Sequence, residues 1–150
     1  MGASARGYMA VFFFVALTAA VSSAADLGKA FAKAVAAGDV EKIRILIEQG
    51  ADVNAANKEG ETALMVACLE GRLDMARLLV EKGADLHAKD GVGANALHYA
   101  AMGGSLEVIK FLVGKGADTE ARTQFGDTAA SIAAEKGGRA ASDFLKTIKR

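Results

Sequence analysis

Proline is absent from the 150 residues, so no helix start in this chain is fixed by one. Cysteine occurs once, at Cys68, which excludes an internal disulfide and leaves packing as the source of stability. Neither sign of charge is in excess: 18 basic and 18 acidic residues balance, and the basic field that nucleic acid requires is missing. Aromatic residues make up only 6%, too few for the stacking platforms that bind single strands. Asn54, Asn57 and Asn95 stand in no glycosylation sequon, which is compatible with a bacterial periplasm. The glycines recur at wide spacing and form no phosphate-cradling loop.

What is present falls into two parts. Residues 1–25 carry a single charge, Arg6, followed by an apolar run from Tyr8 to Val21 and the small residues Ser22, Ser23, Ala24 and Ala25. A charged start, an apolar middle and a small-residue end predict a cleavable signal peptide. The run is shorter than the roughly 20 apolar residues that span a bilayer, so a retained anchor is not expected. Cleavage after Ala24 or Ala25 removes Arg6 and none of the 18 acids, leaving a net charge of about −1. Arg6 also stands where a myristoylation motif needs Ser or Thr, and no cysteine follows the run for lipid attachment. The mature chain is therefore expected in the periplasm or secreted, with no stable membrane insertion.

The remaining residues repeat. Gly38, Gly71, Gly104 and Gly137 recur every 33 residues, as do Gly60, Gly93 and Gly126, and Gly50, Gly83 and Gly116. Ala51-Asp52, Ala84-Asp85 and Ala117-Asp118 keep the same step. Such a period predicts an all-α solenoid of about four helix-turn-helix units joined by β-hairpin-like loops. The units are 26–57 as an N-terminal cap, 58–90, 91–123, and 124–150 as a C-terminal cap. In the first, Leu27, Ala30, Phe31, Ala34 and Val35 share one apolar face, while Lys29, Lys33, Glu41, Lys42 and Arg44 keep the terminal unit wet. Thr62, Asn95 and Thr128 precede the first helices and can cap them. The second helices supply bulk through Leu73, Ala76, Leu78 and Leu79, then Leu106, Ile109, Phe111 and Leu112. In the fourth unit the core weakens, with Ala130 and Ser142 where Leu97 and Ile109 stood.

These residues resemble the ankyrin repeat family. The resemblance is carried by Gly60-Glu61-Thr62-Ala63-Leu64 with Ala67, by Gly93-Ala94-Asn95-Ala96-Leu97-His98 with Ala100-Ala101, and by the three Gly-Ala-Asp runs. It covers essentially all of 26–150. The family's proline after the capping residue is replaced by Ala63, Ala96 and Ala129, which are good helix formers. Its histidine survives as His98, with Met65 and Ser131 in that register. The resemblance implies that His98 hydrogen bonds near its helix start, and that a partner is read by the hairpin tips and the exposed side of the first helices, which line a concave groove.

Chemistry has few candidates. His87 lies near Asp85 and Asp90 but has no second histidine or cysteine at ligand spacing, so a solvated hairpin is expected and no metal. Cys68 aligns with Ala101 and Ala134 and reads as a small buried hydrophobe. Glu41, Glu70, Glu107 and Glu135 form no acid/base pair. No catalytic residue and no cofactor are expected. The function expected is a non-enzymatic protein–protein interaction module exported to the periplasm. The alternatives are a secreted effector acting on a host protein and, more weakly, a small hydrolase or metal-dependent enzyme using His98 or His87. The partner-binding residues are Lys58, Glu59, Glu61, Leu69, Glu70, Val92, Ala94, Met102, Phe125 and Asp127, the partner is another protein, and the chain is expected to act as a monomer. Leu69, Val92, Met102 and Phe125 are large apolar groups at positions that packing leaves exposed.

Overall fold

The computed structural model describes residues 23–148, and these contain eight helices and no strand. The helices are α1 (Ala24–Ala37), α2 (Val40–Glu48), α3 (Ala63–Leu69), α4 (Leu73–Glu81), α5 (Ala96–Gly103), α6 (Leu106–Gly114), α7 (Ala129–Glu135) and α8 (Arg139–Thr147). They pair as α1/α2, α3/α4, α5/α6 and α7/α8. The first helices pack in one row (α1, α3, α5, α7) and the second helices in another (α2, α4, α6, α8).

Each joint repeats because the same backbone problem recurs. Gly38, Gly71, Gly104 and Gly137 link the two helices of a pair with φ of 67°, 67°, 76° and 77°, a region closed to most side chains. The turn lets the amides of Asp39, Arg72 and Gly138 reach back to the carbonyls of Ala34, Ala67 and Ala133 at 3.0, 2.9 and 2.9 Å, satisfying helix-end acceptors. The second helices close in the same way: Ala51, Ala84 and Ala117 donate to Leu46, Leu79 and Leu112 at 2.9, 2.9 and 3.0 Å. The aspartate after each alanine makes a side-chain turn, with Asp52, Asp85 and Asp118 accepting from the amides of Asn54, His87 and Glu120. His87 enters that turn through its backbone, and its side chain is exposed.

Helix starts bear out the capping expectation. Thr62 Oγ1 accepts from the Met65 amide, Asn95 Oδ1 from Leu97 and His98, and Thr128 Oγ1 from Ser131. The bond is returned at each site by the residue three positions on: Met65 Sδ, His98 Nδ1 and Ser131 Oγ accept from the amides of Thr62, Asn95 and Thr128. Three different side chains thus do one job.

The core runs continuously between the two rows. Leu64 and Leu97 fill the first-helix layer, while Ile43, Leu46, Ala76, Leu79, Ile109 and Leu112 fill the second. Leu73 and Phe111 are only half-buried, and Phe111 lies under the Arg77 guanidinium at 5.5 Å. Cys68 is fully buried, and that burial pushes its thiol up to about 12.

The thinner fourth unit leaves a mark. Ser142 is 2% exposed, and its buried Oγ has no hydrogen-bond partner among the described residues. An unpaired buried hydroxyl costs free energy that a methyl does not. Ser142→Ala is therefore expected to stabilise the chain by about 1 kcal/mol. In a calorimetric scan the melting midpoint should rise by roughly 4 °C; a fall would mean the hydroxyl is bonded.

At the N-terminal end the structure adds something the repeat did not suggest. The signal-peptide expectation covers residues 1–25, of which 1–22 lie outside the described residues. Ala24 and Ala25 form the first turn of α1, and Ser23 caps it by accepting from the Asp26 amide at 3.2 Å. At 14 residues, α1 is also longer than the later first helices, which have 7 or 8. Its two extra turns take up the sequence register that a hairpin takes in the later units.

Candidate protein-binding face

Three hairpins precede α3, α5 and α7, each built around one polar side chain. Asn57 Oδ1 accepts from the amides of Glu59 and Glu61. Asp90 Oδ1 accepts from Val92 and Ala94, and Thr123 Oγ1 from Phe125 and Asp127. Backbone bonds stitch neighbouring tips together: the Gly91 amide donates to the Glu59 carbonyl at 3.0 Å and the Gln124 amide to the Val92 carbonyl at 2.9 Å. Glu59, Val92 and Phe125 thus form one row, 33 residues apart, and all three are exposed, Phe125 most at 73%.

A second row runs along the first helices. Ala36, Leu69, Met102 and Glu135 share a register and are exposed. Leu69 and Met102 are held side by side because Gly103 brings α5 against α3, where a Cβ would fall on the Leu69 carbonyl oxygen. The four apolar residues expected to be exposed are so, as two pairs: Leu69 beside Met102 on the helix row, Val92 beside Phe125 on the tips.

One expected contact residue is corrected. Ala94 is 4% exposed and cannot meet a partner. Its carbonyl accepts from the Asp90 amide and its own amide donates to Asp90 Oδ1, both at 2.9 Å, which closes the hairpin and turns the methyl inward. Glu61 and Asp127 occupy the same register and are half-buried. Asp127 accepts through its carbonyl from the Thr123 amide at 3.0 Å. Lys58 and Glu59 are exposed, and Glu70 is exposed and paired with Arg72 at 3.0 Å.

His98 is a tie between units. It is 1% exposed; Nδ1 lies 3.1 Å from the Asn95 amide nitrogen and 2.8 Å from Asn95 Oδ1, and Nε2 lies 3.0 Å from the Ala121 carbonyl and 3.2 Å from that of Asp127. Both ring nitrogens are thereby committed to the third and fourth units.

The sequence reading missed a polar bridge at Tyr99. Its hydroxyl lies 2.7 Å from Asp90 Oδ2 and 3.0 Å from Glu61 Oε1, and Asn57 Nδ2 donates to Glu61 Oε2 at 2.8 Å. A phenol among Val66 and Ile132, its apolar register mates, was the available signal. Burial, then the Asp90 and Glu61 carboxylates, hold the phenol well above its ordinary range. Partial burial pushes Asp90 up, but the Tyr99 hydroxyl and the Ala94 and Val92 amides outweigh it and hold the carboxyl below 3.8. A depressed carboxyl contributes stability above its unfolded value and loses it as pH falls through the folded one. Tyr99→Phe should cost about 1–2 kcal/mol at pH 7. Urea titrations should show that cost shrinking below pH 3.8; a cost independent of pH would disconnect Tyr99 from Asp90.

Stacked helix pairs that present one row of hairpin tips and one row of helix residues define a helical repeat protein of the protein-binding class. A family model described as ankyrin repeats in three copies matches residues 1–90, and one described as ankyrin repeats in many copies matches residues 79–133. The chain belongs to the ankyrin repeat family, and it is a protein–protein interaction module. Among the described residues no helix is long and apolar enough to cross a membrane.

Proposed function

We propose that this chain is exported to the periplasm and there binds one partner protein through its tip row and first-helix row. The observation that carries the reading is the exposure of Leu69, Val92, Met102 and Phe125 in two adjacent pairs, since large apolar groups left in water on a packed scaffold mark a protein interface. Lys58, Glu59 and Glu70 supply the polar rim beside them. Glu61 and Asp127 contribute less, because hairpin bonds already hold them.

Export rests on the charged, apolar and small-residue order of residues 1–25. Cleavage after Ala24 or Ala25 takes the Ser23 cap with it, at a cost of about 1 kcal/mol to the first turn. The fully buried residues of α1 begin only at Phe31, and Leu27 in that first turn is half-buried against the core.

Immobilised wild-type chain and a Met102→Ala/Phe125→Ala double variant, compared by quantitative capture from a periplasmic extract, test the contact residues. Truncating two anchors should reduce recovery of the dominant partner at least ten-fold, the equivalent of about 1.4 kcal/mol. Equal recovery would rule these anchors out.

A further inference from the structure

A second recognition site is open at the N-terminal end of the two rows. An apolar groove of ≈ 390 Å³ runs between α1 and the first hairpin, lined by Phe31, Val35, Ala55, Ala56 and Val66, with Glu61 at its rim. One unit later, Tyr99 stands at the register of Val66 and reaches Glu61 with its hydroxyl. The smaller valine leaves the corresponding space unfilled by the described residues.

The backbone beside this groove is an unfinished ladder. The Gly91 amide donates upstream to the Glu59 carbonyl, and the Gln124 amide upstream to Val92. Lys58 stands at the same register as Gly91 and Gln124, and among the described residues its amide has no such partner. No upstream hairpin supplies that acceptor among the described residues, because α1 runs as a helix through the register of the later hairpins.

We propose that an extended segment of a partner protein adds to this edge, its carbonyl accepting from the Lys58 amide, a large apolar side chain entering the groove and an adjacent Arg or Lys pairing with Glu61. Main-chain addition to an open edge gives register, and alternate side-chain pockets give selectivity. The basic residue follows from charge: Glu61 is held by neutral donors, Asn57 and Tyr99, and shares the Tyr99 hydroxyl with the Asp90 carboxylate. No cation lies within salt-bridge distance of Glu61 among the described residues.

The test uses the full chain, expressed with its own leader and purified, and an eight-residue peptide alternating leucine and threonine with one central arginine. Amide NMR should show shifts at Ala55 to Ala63 and along α1, with the Lys58 amide gaining exchange protection. Glu61→Gln should weaken this peptide roughly three- to ten-fold without affecting a version carrying glutamine for arginine. Val66→Tyr, which fills the groove as Tyr99 does one unit on, should abolish binding of both peptides while the melting midpoint is kept. Any of four results overturns the proposal: shifts confined to Leu69, Met102, Val92 and Phe125, undiminished binding to Val66→Tyr, a Lys58 amide already protected in the free chain, or self-association that protects it. The third would place the chain's own N-terminal residues in the groove.

Discussion

Leu79→Ala is expected to lower the unfolding free energy by about 2–5 kcal/mol, a large share of what a domain of this size has. Leu79 is fully buried in α4 and belongs to a column of four leucines, Leu46, Leu79, Leu112 and Leu145, that are all buried and lie 33 residues apart. Truncation removes the transfer energy of the side chain and leaves a cavity between units that cannot collapse without tilting a helix pair. Position in the stack matters as well. Each unit of a solenoid is stabilised only by its neighbours, so a defect in the second unit weakens contacts on both sides. Leu145 lies in α8, whose helix pair has, among the described residues, a neighbouring pair on one side. Chemical denaturation of Leu79→Ala and Leu145→Ala in parallel should therefore give the larger loss at Leu79. Equal losses would show that the units do not couple in the way the column implies.

Gly103→Ala should also destabilise the chain, by up to about 2 kcal/mol, although helix propensity alone favours alanine by about 1 kcal/mol. Gly103 is the last residue of α5 and faces α3. A Cβ there would fall on the Leu69 carbonyl oxygen, 2.9 Å from the Leu69 carbonyl carbon and 3.0 Å from the Cys68 carbonyl oxygen. Main-chain atoms cannot swing aside as a flexible side chain can, so α5 must move away from α3. Overpacking of this kind costs about 1–3 kcal/mol, which outweighs the propensity gain. A thermal melt should show a net fall in midpoint, and the same shift should separate Met102 from Leu69 and weaken partner capture. An unchanged or raised midpoint would mean that the two helices are not in contact at that point.

Most of the fold was legible in the sequence because the period did the work. One solution to the helix joint, closed by Gly38 and its successors, serves all four helix pairs, and one register of Thr62, Asn95 and Thr128 identifies the capped starts of α3, α5 and α7. The exposed apolar residues were legible for the same reason: Leu69 and Met102 recur beyond the packed face of α3 and α5, and Val92 and Phe125 recur at the hairpin tips.

The rest depended on geometry that a period does not carry. Counting along the hairpin treats Ala94 and Val92 alike, but Val92 sits in the middle of the loop and Ala94 closes it through its bonds to Asp90, so one is exposed and the other buried. Tyr99 shares its register with the apolar Val66 and Ile132, and only the approach of two hairpins shows its hydroxyl meeting Asp90 and Glu61. The length of α1 was hidden too, because Ser23 to Asp26 reads equally well as the end of a leader and as a helix cap.

The central claim, an exported module that holds a partner by its tip and helix rows, is tested most directly by one measurement. The full chain, tagged at its C-terminus and expressed with its own leader, is captured from separated periplasmic, membrane and cytoplasmic fractions, and intact mass and bound proteins are read together. The account predicts a chain beginning at Ala25 or Asp26 in the periplasmic fraction, carrying one dominant protein that the Met102→Ala/Phe125→Ala double variant loses. A chain with residues 1–25 intact in the membrane fraction, carrying no protein above background, would contradict it.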